Sequence, residues 1–71
     1  MRVSTQQAEK LLQGNLAFSQ LGFSMLLTRL KTSYIKDPTP ATVHACTADI
    51  NAFFDKFGMI MGADFATISK L

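Results

Sequence analysis

Apolar residues recur at Leu12, Leu16, Phe23, Leu26 and Leu30, which is one stripe of a helix. A second set, Leu11, Phe18, Leu21 and Met25, falls on another face of the same segment. A helix that is apolar on two faces needs cover on both, and one short partner helix cannot supply it. The strongest punctuation in the chain follows, Lys36-Asp37-Pro38-Thr39-Pro40. Two prolines so close cannot lie inside a helix, although proline opens one well at its first position. Thr39 is an expected N-cap ahead of Pro40, and Asp37 ahead of Pro38 is the competing one. At the start of the chain, Ser4 and Gln7 make a capping-box pattern, with Val3 and Ala8 as the accompanying hydrophobic staple.

Beyond the prolines, Val43, Ile50, Phe54, Phe57, Met61, Phe65 and Ile68 follow at spacings of 7, 4, 3, 4, 4 and 3. This is again a helical stripe, and no strand-like alternation competes with it. Gly58 and Gly62 interrupt helix propensity without breaking the phase. Two readings stay open. Either the helix stops at Phe57, with Gly58 just beyond it, and a short third helix runs from about Ala63 to Lys70. Or it continues through both glycines, and segments 5–35 and 39–70 are about 46 and 48 Å long. The expected architecture is all-α, one domain over residues 1–71. It is an antiparallel helical hairpin: a helix over about 5–35, a Pro-bearing turn at 36–39, and a helix over about 40–57 that continues or restarts to about 70.

Composition adds a requirement. The chain has 71 residues, 48% apolar and 17% charged, against about 25% charged in an ordinary domain. One core in so short a chain rarely supplies more than about 3–5 kcal/mol. A single cysteine closes no internal disulfide. A partner is the remaining supplement, and dimerisation into a helical bundle is its simplest form. The polar positions hold 12 Ser/Thr, four Gln and two Asn, and no opposite charges stand three or four apart. Neutral polar groups cost less to bury than charges, which suits a surface meant to be covered.

Charge and chemistry narrow the function. The net charge of +2 is a weak argument for nucleic acid. The opening Met1-Arg2-Val3-Ser4-Thr5-Gln6-Gln7 fits neither a signal peptide nor a lipidation motif. The uncharged run from Leu11 to Thr28 contains six polar residues and reads as a buried helix rather than a membrane span. A cytoplasmic location is expected, and signal-independent export is compatible with the same features. His44 and Cys46 stand two apart, so on a helix they point about 200° from each other and cannot share a metal ion or form a nucleophilic pair. Cys46 reads as a small buried residue and His44 as an exposed one. Glu9, Asp37, Asp49, Asp55 and Asp64 offer no acid–base pair at one-turn spacing. Asp64 stands out because it lies close to the apolar stripe, where it could cap a short third helix. No catalytic, cofactor or metal site is predicted.

The second half resembles the hairpin subunits of type III secretion needles. The resemblance rests on Asp37-Pro38-Thr39-Pro40, Asp49-Ile50-Asn51 and the terminal Ile68-Ser69-Lys70-Leu71. It implies a structural subunit of a helical filament. The residues themselves favour a different reading, a small non-enzymatic interaction module. Such a module associates with itself and regulates or inhibits a partner protein through an apolar helix face. Its expected interface comprises Phe18, Leu21, Met25, Phe53, Met59 and Met61. Arg29, Lys31 and Lys36 form a small basic patch near the end of the first helix. That patch supports a third reading, a small nucleic-acid-binding regulator.

Overall fold

Ser4 opens the first helix as the capping-box pattern predicts. Its hydroxyl accepts from the Gln7 N–H at 3.1 Å, and the Gln7 side chain accepts from the Ser4 N–H at 2.9 Å. In the computed structural model, which describes residues 1–58 and 62–71, this helix is short. It runs Thr5–Gln13 (α1) and is followed by Leu21–Lys36 (α2), Pro40–Phe57 (α3) and Gly62–Ser69 (α4). Among the described residues the secondary structure is entirely helical.

The single helix expected over 5–35 is therefore two. The chain leaves the helix at Gly14, whose backbone is extended and whose N–H still donates to the Lys10 carbonyl. The break serves the two-faced apolar pattern only in part: Leu11 becomes buried and Phe18 half-buried, while Leu21 and Met25 of the same set stay in water. The break turns the chain back on itself, so α1 buries Ala8, Leu11 and Leu12 while α2 buries Phe23, Leu27 and Leu30. The hairpin gives way to three helices that pack on one another, α1 on both α2 and α3, and α2 on α3. The largest dimension is 31 Å, shorter than the about 46 Å of an unbroken 5–35 helix. The extended hairpin that the needle resemblance implies is not formed.

The second half follows the first of its two readings. Thr39 is the N-cap of α3, Pro40 its first residue, and Asp37 accepts from the Thr42 hydroxyl at 3.2 Å. Gly58 ends α3 with φ 74° and ψ −153°, a region open essentially to glycine alone. The short third helix of that reading is α4.

The core closes within one chain. Val3, Ala8, Leu11, Leu12, Phe23, Leu27, Leu30, Cys46, Ile50, Phe54 and Ile68 form one contiguous buried cluster. Phe23 is its centre. Its ring meets Phe18 edge-on at 5.0 Å, Phe54 nearly stacked at 5.4 Å and Phe53 tilted at 5.5 Å. Two polar side chains lock the ends of the chain onto this core. Buried Asn51 on α3 pairs with the Val3 backbone, accepting from its N–H at 2.8 Å and donating to its carbonyl at 3.1 Å. Asp64, 2% exposed, accepts from the backbone N–H groups of Ser19 at 2.7 Å and Gln20 at 3.0 Å. Gln20 is the N-cap residue of α2 and makes no side-chain cap of its own. The carboxylate thus serves the start of a helix 44 residues away and compensates its own burial with oriented N–H groups.

Candidate interaction surface

Among the described residues, no helix packs over the face of α2 opposite Phe23, Leu27 and Leu30. It carries Leu21, Met25, Thr28, Thr32 and Ile35, all exposed. Leu21, Met25 and Ile35 keep 72%, 64% and 77% of their surface in water, which marks them as uncovered side chains rather than rim residues of the core. A shallow depression on this face is lined by Leu21, Ser24, Met25, Thr28, Arg29 and Thr32.

The threonines within the stripe are not free polar groups. The Thr28 hydroxyl donates to the Ser24 carbonyl at 3.0 Å, and the Thr32 hydroxyl donates to the Thr28 carbonyl at 3.1 Å. Both are satisfied inside their own helix, so covering them orphans no donor. Their methyl groups continue the apolar line between Met25 and Ile35. At one end, Gly22 leaves room for the Phe53 ring of α3, which lies 3.7 Å from where a side chain at 22 would begin. Phe57 packs on Phe53 at 4.7 Å between ring centroids and is itself 58% exposed. At the end of α3 it thus adds an exposed apolar side chain beside Phe53.

The six expected interface residues divide. Leu21 and Met25 lie together on the outer face of α2. Phe18 and Phe53 do not join them as free anchors: both are half-buried and packed against the core around Phe23. The break after Gln13 causes this, because it brings Phe18 back beside Phe23. Met59 and Met61 lie outside the described residues. The basic patch also divides. Lys31 donates to the Gly14 carbonyl at 2.6 Å, which ties it to the end of α1. Arg29 and Lys36, seven residues apart, stay exposed along one edge of the α2 face. Sequence reasoning missed Thr28, Thr32, Ile35 and Phe57. The first three share the period of Leu21 and Met25, and that spacing was the available signal. Phe57 counted as core because it keeps phase with Ile50 and Phe54.

The chemistry-bearing residues stay apart. Cys46 is buried in the core, and desolvation followed by the nearby Asp49 charge pushes its thiol pKa up, away from the nucleophilic thiolate. His44 is exposed, in a cleft with Thr5, Gln6, Glu9, Pro40 and Val43. Among the described residues no three His, Cys, Asp or Glu side chains gather as a metal site would require. No helix among them is long and apolar enough to cross a membrane. No family model, curated protein or solved structure matches this chain.

Proposed function

We propose that the protein is a non-enzymatic helical interaction module that regulates a partner protein through the outer face of α2. The observation that carries this reading is the uncovered line Leu21, Met25, Thr28, Thr32 and Ile35 on a helix whose opposite face is fully packed. A helix that buries one face and leaves a second apolar face in water has a surface to offer. A buried core cluster forms within one chain, so the outer face, and not completion of the core, carries this reading.

The test is site-specific photo-crosslinking in the source cells. A photoreactive residue replacing Met25 should give discrete protein adducts. The same residue replacing Ala48, exposed on α3, serves as the control. Adducts at position 25 that are absent at 48 support the module. Equal or absent crosslinking at both positions overturns it.

A further inference from the structure

The outer face of α2 has the period of a coiled-coil seam. Leu21, Met25, Thr28, Thr32 and Ile35 follow at spacings of 4, 3, 4 and 3, which is the alternation of a and d positions over two heptads. Met25 and Thr32 are then a positions, and Leu21, Thr28 and Ile35 are d positions. All five are exposed. The same register places Arg29 and Lys36 at e positions, and Ser24 and Lys31 at g positions. Leu30, buried in the core, falls at f, directly opposite the seam. Every charge at the seam's flanks is positive, and α2 contains no Asp or Glu.

Charge at e and g decides which helix a seam accepts. A second copy of this chain is disfavoured in both orientations. Paired antiparallel, Arg29 and Lys36 at e meet those of the other copy; paired in parallel they find no acidic partner, since Lys31 at g is held by the Gly14 carbonyl and α2 has no Asp or Glu. Like charges placed together across an interface suppress that pairing. An acidic flank removes the conflict and supplies attraction. The threonine hydroxyls, already satisfied within α2, make no demand on the partner.

Resting on the interaction-module reading, we infer that the partner presents an amphipathic helix with apolar a and d positions and acidic e and g positions, which zips onto α2 between Leu21 and Lys36. An anionic membrane is the less suitable occupant, because a seam two residues wide with threonine in its middle presents a narrow line rather than a broad apolar wedge.

The experiment uses two fluorescent synthetic peptides of about three heptads, both with Leu at a and d. One carries Glu at e and g, the other Lys. Fluorescence anisotropy with the intact protein should show saturable binding of the Glu peptide, at least about tenfold tighter than the Lys peptide and weakened by salt. Met25→Asp should weaken binding of the Glu peptide at least about tenfold, with an unchanged circular dichroism spectrum because Met25 is exposed. The double variant Arg29→Glu with Lys36→Glu should shift preference from the Glu to the Lys peptide. Equal affinity for the two peptides overturns the inference, as does a preference that survives the charge reversal. Binding to phosphatidylserine vesicles with no preference for the Glu peptide also overturns it. These results would leave the crosslinks at position 25 standing, so failure of the acidic partner is distinguishable from failure of the module.

Discussion

A carboxylate removed from water with no cation against it needs oriented dipoles around it. Asp64 has them in the N–H groups of Ser19 and Gln20. Asp64→Asn keeps one acceptor and turns an amide NH2 toward the other N–H, so we expect a loss of about 1–3 kcal/mol, read as a fall in the midpoint of thermal unfolding. Asn51 is the neutral counterpart. Its amide matches both backbone groups of Val3, and Asn51→Asp keeps the bond to the N–H but sets a carboxylate oxygen against the Val3 carbonyl. The expected cost is again about 1–3 kcal/mol, measured by denaturant titration. Loss of hydrogen-exchange protection at the Val3 amide would assign that cost to the clamp. Cys46 has a raised thiol pKa in the folded state, from burial first and from Asp49 second. The folded thiol holds its proton to higher pH than the unfolded one. Its contribution to stability is whole below the unfolded thiol's pKa and is lost as pH rises from there through the higher pKa of the folded thiol. Denaturation midpoints should therefore decline above about pH 8–9, and Cys46→Ser should lessen that decline. Thiol reagents should modify the folded protein far more slowly than the unfolded one.

The helices differ in how much of each was legible from local signals. Thr39, Pro40 and Gly58 are determinants that act within a few residues, and they place both ends of α3. The boundary between α1 and α2 has no comparable signal. Gly14 lowers helix propensity by about 1 kcal/mol, which does not end a helix by itself. The break brings Leu11 and Phe18 onto the core and leaves Leu21 and Met25 outside it, a division set by packing across the core and not by a local signal. The candidate surface divides along the same line. Leu21 and Met25 were legible from helical period, whereas the places of Phe18 and Phe53 depend on where the chain turns back. A pair of glycine substitutions separates the backbone effects. Gly58→Ala places a side chain at φ 74° and should cost about 1–3 kcal/mol. Gly22→Ala lies in a helix, and its new methyl would meet Phe53 at an ordinary 3.7 Å. It should stabilise by about 0.5–1 kcal/mol. Thermal melts of the two variants should move in opposite directions.

At the scale of the whole molecule, low charge and a closed core belong to different surfaces. The radius of gyration, 11.1 Å, is that of a packed globule of this length, about 11 Å. A single chain thus has the compactness ordinary for its length. Composition counted apolar residues and could not tell that Leu21, Met25, Ile35 and Phe57 stand outside the core. On the proposed seam, like charges would oppose pairing of identical copies through α2, and sedimentation is then expected to find a single 7.8 kDa species across the micromolar range. A concentration-dependent dimer would contradict this picture of α2.

The carboxylate clamp also ties the first turn of α2 to α4. The start of α2 relies on Asp64, a residue 44 positions after Gln20. Without that carboxylate, the backbone N–H groups of Ser19 and Gln20 at the start of α2 lose the acceptor the fold gives them. Leu21, the first residue of the outer seam, sits on that turn. The position of Leu21 on the outer face of α2 therefore depends on α4, which lies after α3 in the chain.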